Sequence, residues 1–267
     1  MAEPISTLSN NGLNGKVVVV ASQRSGKCIP SELVQTFMAE GALVYATDQE
    51  AKILNIIESE VEKYLGKKIQ TYPLDFHRKG AVEDFVLWVK EKEGRVDVLV
   101  TEFGLLEFVP HLKPFHMQTK SEWDQQYKSI VEDAFIWSRA VIPVMIEQNY
   151  GKIIHITSEA ARMGTPYMAV YAAAKAAISG FTRCLAAELA RYNITANCVS
   201  LGIQEIQFRN NNSEPARKKL DKIRRQIPLR RFGEPEEISF MVAYLASELG
   251  SYITGQNISV SGGMVMV

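Results

Sequence analysis

The chain has 267 residues, 46% of them hydrophobic and 22% charged, which is enough to bury the core of one large α/β domain. Lys plus Arg and Asp plus Glu both number 30, so no whole-protein field points to nucleic acid or to a membrane surface as a partner. No apolar stretch approaches the ~20 residues needed to span a bilayer, and Cys28, Cys184 and Cys198 lack CxxC spacing, which suits a reducing cytoplasm without disulfides or zinc.

Residues 1–14 are polar, carry no apolar signal core, and are expected to form an extension ahead of a single domain over 15–267. Apolar runs of strand length then alternate with segments of helical period. A strand over 17–21 is followed by a helix near 31–40, a strand over 43–47, and a helix over 51–65. A strand over 69–74 precedes an amphipathic stretch carrying Phe85, Trp88 and Val89. Further strands are expected over 96–100, 153–157, 195–200 and 257–260, with helices near 122–147, 168–192 and 236–249. Continuous Val/Ile/Leu strands joined by helical crossovers predict a doubly wound, mostly parallel sheet flanked by helices. No linker divides the chain and no internal repeat is visible.

Ser158 ends one apolar run, and Tyr171 and Lys175 stand one helical turn apart in Tyr171-Ala172-Ala173-Ala174-Lys175. Such a trio can take a proton from an alcohol while a hydride leaves for a nicotinamide. A free tyrosine ionises near ~10, and an ammonium one turn away is expected to favour its phenolate. Taken alone, the pair also fits an exposed Tyr and Lys on an amphipathic helix. The C-terminal third adds Ile227-Pro228-Leu229-Arg230-Arg231-Phe232-Gly233-Glu234-Pro235-Glu236-Glu237-Ile238, then Tyr252-Ile253-Thr254-Gly255-Gln256 and Ser261-Gly262-Gly263. With these segments the chain resembles the short-chain dehydrogenase/reductase family over nearly its whole length.

The resemblance implies a Rossmann-like seven-stranded sheet and oxidation of alcohols or reduction of carbonyls with NAD(P). It also implies dimers or tetramers built through the two long helices and the C-terminal region. In the family, Lys175 would also hold the nicotinamide ribose and Ser158 would polarise the substrate oxygen. An asparagine that bends the long helix and carries a water relay is replaced here by Ile130. The glycine-rich turn after the first strand reads Ala21-Ser22-Gln23-Arg24-Ser25-Gly26-Lys27-Cys28, so Gly26 survives while Ser22 and Cys28 replace the outer glycines. Pro30 predicts a helix starting near that residue. Glu102 and Phe103 stand where the family has an Asn-Asn-Ala-Gly turn and are expected to crowd the adenosine side. Leu201 replaces the usual proline, and Ile206 replaces a hydroxyl residue that bonds the nicotinamide amide.

Two acids run against these losses. Asp48 ends the second strand, where the family acid holds the adenine ribose and favours NAD over NADP. Asp75 matches an acid near the adenine ring. The bland alternative for both is capping of their own loops. Between Glu214 and Arg231 eight lysines and arginines face two acids, a net of +6. That segment fits either a phosphate-bearing acyl carrier such as coenzyme A or a solvated helix face. The histidines are dispersed, and His155 is expected to be a satisfied core residue. Small residues from Ala172 to Ala177 suit either close packing on the sheet or a subunit interface.

Two functional readings follow. In the first, the chain is a cofactor-impaired subunit whose paralogous partner, in a heterodimer or heterotetramer, performs NAD-dependent oxidation of a hydroxyacyl-CoA. The combination is similar to a non-catalytic chain of the two-chain dehydrogenases of anaerobic aromatic degradation, which act on substrates such as hydroxybenzylsuccinyl-CoA in toluene breakdown. In the second, the chain is a self-sufficient NAD-dependent alcohol dehydrogenase or ketoreductase using Ser158, Tyr171 and Lys175.

Overall fold

The computed structural model describes residues 12–23, 29–104, 113–204 and 214–266, with the side chains of 214–217 and 219 left aside. Seven strands form one parallel sheet: β1 Val17–Gln23, β2 Leu43–Asp48, β3 Thr71–Pro73, β4 Val98–Phe103, β5 Gly151–Ser158, β6 Ile194–Leu201 and β7 Asn257–Val260. Their order is β3-β2-β1-β4-β5-β6-β7. The order reverses between β1 and β4, and the crevice beyond the carboxyl ends of strands at such a reversal is where open α/β sheets bind ligands.

Helices cover both faces. On one side α1 (Ile29–Ala39), α2 (Ala51–Leu65) and α8 (Pro235–Ala246) close a core that includes Val18, Val20, Leu33, Phe37, Val98, Val100 and Val242. On the other, α3 (Ala81–Glu93), α5 (Asp133–Glu147) and α6 (Ala169–Leu189) cover Val17, Val19, Ala21, Leu99, Phe103 and Trp137. Alternate residues of β1 and β4 thus feed opposite cores, the period-two signature of strands buried on both faces. Leu13 is fully buried in the first of these cores although it precedes β1.

Element boundaries depart from the sequence in an informative way. β1 and β4 run beyond their apolar stretches, pairing Ser22 with Glu102 and Gln23 with Phe103. Backbone ladders tolerate polar side chains, so the loss of apolar residues did not end the strands. α1 begins at Ile29, one residue from the expected start, with Pro30 in its first turn, where the missing N–H costs nothing. The long helix expected near 122–147 is α4 (Lys120–Tyr127), a π-helical turn over Lys128–Glu132, and then α5. α4 opens on a capping box in which Thr119 and Glu122 satisfy each other's backbone N–H groups. One further helix, α7 (Glu214–Arg224), carries much of the basic segment. Among the described residues no helix is long and apolar enough to cross a membrane.

Candidate active site

Ser158, Tyr171 and Lys175 converge at the carboxyl edge of the sheet. Ser158 is the last residue of β5, and its hydroxyl accepts the Ala160 N–H at 3.2 Å, capping the 3-10 turn Glu159–Ala161. The half-buried phenol of Tyr171 lies close enough to the same hydroxyl to feel its polarity. Lys175 follows one turn later on α6 and is 1% exposed. Its ammonium donates to the Phe103 carbonyl at 2.7 Å and the Ile156 carbonyl at 3.1 Å, so it bridges the ends of β4 and β5. Its Nζ stands 5.8 Å from the centre of the Tyr171 ring.

The electrostatics differ from the expectation that Lys175 depresses the phenol. Burial pushes Tyr171 up to about 12, the nearby Ser158 hydroxyl works against that rise, and the charge of Glu102 adds to it. Burial brings Lys175 down to about 8, partly offset by Glu102 and Cys198. The ammonium commits two of its three donors to backbone carbonyls, and burial keeps Tyr171 at neutral pH as a phenol, a proton donor.

The adenosine end of the crevice is built differently. Asp48 closes β2 and is fully buried. The Ser22 hydroxyl donates to its Oδ2 at 2.8 Å and the Glu50 N–H to its Oδ1 at 2.8 Å. Burial raises this carboxyl to about 6, against the bonds from the Glu50 amide, the Ser22 hydroxyl and the Gln49 amide, with the Glu50 charge adding to the rise. Asp75 is exposed and accepts the His77 N–H at 3.0 Å, which is loop capping. Gly26, Cys28 and Ile206 lie outside the described residues.

One expected obstruction sits elsewhere. Phe103 is 3% exposed and turns into the α3/α5 core, where its ring lies 5.8 Å from Phe76, itself 5.3 Å from Trp137. It shares the Leu99 face, so alternation carries it away from the crevice. Glu102 is fully buried, paired in register with Ser22, and its charge acts on Tyr171 and Lys175. Ile130, in the asparagine position, lies in the π-helical turn and is 1% exposed. A Cβ added at Gly104 would meet its Cγ1 at 2.1 Å, and Gly104 holds a φ of +73°, so glycine is required there on two counts. The helix irregularity therefore persists on hydrophobic packing instead of an asparagine.

His155 is the satisfied core residue expected, with Thr101 Oγ1 2.7 Å from Nδ1 and Ser138 Oγ 3.4 Å from Nε2. Burial and the Lys175 charge bring it down to about 3, so it remains neutral. Sequence reading missed Glu159. This buried acid accepts from Ser259 on β7 and lies 3.7 Å from Arg162, which in turn donates to the Asn257 carbonyl. The network ties the turn bearing Ser158 to β7. The available signal was an acid directly after the strand-ending serine, but its partner lies about a hundred residues away in sequence.

The residues at this crevice fit a nicotinamide dinucleotide at its reactive end: Lys175 is sealed beside the β4 and β5 carbonyls and Tyr171 beside Ser158. The adenosine end offers Asp48 with its acceptors already engaged.

A family sequence model described as enoyl-(acyl carrier protein) reductase matches residues 20–265. The chain is 34% identical over 254 residues to a 3-oxoacyl-(acyl-carrier-protein) reductase of Thermotoga maritima, covering 95% of this chain and 99% of that protein. It is 29% identical over 266 residues to the 2,3-dihydro-2,3-dihydroxybenzoate dehydrogenase of Bacillus subtilis, covering 97% and 99%. Among solved structures, a doubly substituted Serratia marcescens short-chain dehydrogenase/reductase superposes with a TM-score of 0.80 at 30% identity, covering 94% and 98%.

Proposed function

The chain belongs to the short-chain dehydrogenase/reductase family, an oxidoreductase fold acting on CH–OH groups, and from that premise we propose that it is a self-sufficient ketoreductase, reducing a carbonyl to an alcohol. The observation that carries this is the convergence of Ser158 and Tyr171 beside a buried Lys175. Ser158 holds the substrate carbonyl oxygen. Tyr171, raised to about 12, is protonated at neutral pH and delivers its proton to that oxygen as it becomes an alkoxide. Lys175, as an ammonium below about 8, keeps positive charge beside the phenol when the proton leaves. NAD(P), when bound, supplies the hydride. Lys175 would hold its nicotinamide ribose, and Asp48 marks its adenine-ribose end.

The substrate class we favour is an acyl thioester on a phosphate-bearing carrier, as the name of the Thermotoga relative suggests for that protein. Lys218, Lys222, Arg225 and Arg230 are exposed along or just beyond α7, in keeping with an anionic carrier. A homo-oligomer packing through the small residues of α6 belongs to the same reading. The test uses the purified chain alone with a 3-oxoacyl thioester and reduced dinucleotide, following loss of nicotinamide absorbance. Turnover that Ser158→Ala and Tyr171→Phe remove supports the proposal; turnover indifferent to both overturns it.

A second reading is favoured by one observation, the engagement of Asp48 by Ser22. Here the chain binds dinucleotide poorly and supports a paralogous catalytic subunit acting on an acyl-CoA. Micromolar NADH binding with carbonyl-dependent turnover by the chain alone would exclude it.

A further inference from the structure

Ser22 and Asp48 meet because of register. β1 and β2 pair in parallel with Val20 opposite Ala46 and Ala21 opposite Thr47. Continuing that register sets Ser22 beside Asp48, and neighbouring residues of a parallel pair point to the same face. A hydroxyl at 22 is therefore delivered onto the carboxylate, and the 2.8 Å bond is sealed, with Ser22 1% and Asp48 0% exposed. The opposite neighbour of Ser22 is Glu102 on β4, also fully buried, so the serine stands between two acids and donates its proton to Asp48.

A carboxylate offers about four acceptor positions. Here the Ser22 hydroxyl takes a position on Oδ2 and the Glu50 amide one on Oδ1, so each oxygen is engaged. An adenine ribose diol that reaches for Oδ2 competes there with the buried serine hydroxyl, a charge-assisted donor of the stronger kind. A glycine at this position has no hydroxyl to hold the acid.

We propose that Ser22 is a selectivity-determining residue of this chain: by holding Asp48 it withholds the acid that would separate NAD from NADP. The proposal rests on the ketoreductase reading only in taking a nicotinamide dinucleotide as ligand. The wild-type chain binds both dinucleotides with little preference, and removing the hydroxyl frees Asp48 to accept the ribose diol and to repel a 2′-phosphate.

The test is equilibrium fluorescence titration of NADH and NADPH into the full chain, for wild type, Ser22→Ala, Ser22→Gly, Asp48→Asn and the pair Ser22→Ala/Asp48→Asn. Expected are wild-type Kd values within ~3-fold of each other and a ~10-fold gain for NADH alone in Ser22→Ala and Ser22→Gly. That gain is lost when Asp48→Asn is added. Ser22→Ala keeps the Cβ, so it separates the hydroxyl from simple relief of crowding, and its melting temperature checks that it folds. The proposal is overturned by a gain equal for both dinucleotides, a gain that survives Asp48→Asn, strong NADH preference in wild type, or no gain at all. Because binding is read without turnover, a chain that shows the Ser22 effect yet reduces no carbonyl overturns the ketoreductase reading and leaves this one standing.

Discussion

The two ends of the carboxyl edge differ in what holds them. At the β5–α6 end, Ser158, Tyr171 and Lys175 are placed by whole elements: a strand end, a 21-residue helix, and two backbone carbonyls that receive the ammonium. At the β1–β2 end, single side chains hold each other, Ser22 bonded to Asp48. A substitution at Ser22, near the end of β1, is therefore expected to alter ligand binding without disturbing the acid–base geometry. The contrast teaches that one crevice can be fixed at one end by whole elements and at the other by a single side-chain pair.

The sharpest way to break that contrast is Tyr171→Phe. Its turnover should fall ~10²–10⁴-fold, the usual span of general acid–base help, while the NADH Kd stays within ~2-fold of wild type. A collapse of binding as well would mean that the two ends are coupled. Phe103→Ala comes next and should destabilise the fold by ~3–5 kcal/mol in urea titrations, as a large core deletion does. If Phe103 crowded the crevice instead, removing its ring would tighten dinucleotide binding at little cost in stability.

A smaller effect sharpens the acid–base end. Glu102 raises both Tyr171 and Lys175, so Glu102→Gln should move the alkaline limb of the reduction pH profile to lower pH. A limb that stays in place would remove Glu102 from the electrostatics of the site. The smallest effect concerns α1, beside the cradle. Burial, with the charges of Glu236 and Glu60, pushes Glu32 up to about 7 from 4.5. The folded state then holds more protons than the unfolded chain between those values, so stability falls as pH rises through that window. Glu32→Gln should add ~1 kcal/mol at pH 8 after allowing for solvent screening, and almost nothing at pH 4, by denaturant titration.

Much of the scaffold was legible because β-branched runs and helical periods are local properties. The strand over 257–260 and the helix over 51–65 needed no long-range information. Pro30 announced the start of α1. The ends of β1 and β4 were missed because Ser22, Gln23 and Glu102 are polar, yet their backbones still pair. The face of Phe103 could have been found from alternation, since Leu99 and Phe103 share one side of β4. The Ser22–Asp48 bond could not, because it depends on the register of two strands separated by a helix. The environment of Lys175 was equally hidden: its carbonyl partners come from β4 and β5, distant in sequence. The trio itself was readable, since one helical turn fixes Tyr171 against Lys175.

The central claim is that chemistry at Ser158, Tyr171 and Lys175 is intact even where dinucleotide recognition is altered. Single-turnover reduction of a 3-oxoacyl thioester by the purified chain, with dinucleotide raised to saturation, tests this most directly. The account predicts a full turnover in wild type that Tyr171→Phe suppresses at the same saturation. No product at saturating dinucleotide, or product formed equally well without the Tyr171 hydroxyl, would contradict it.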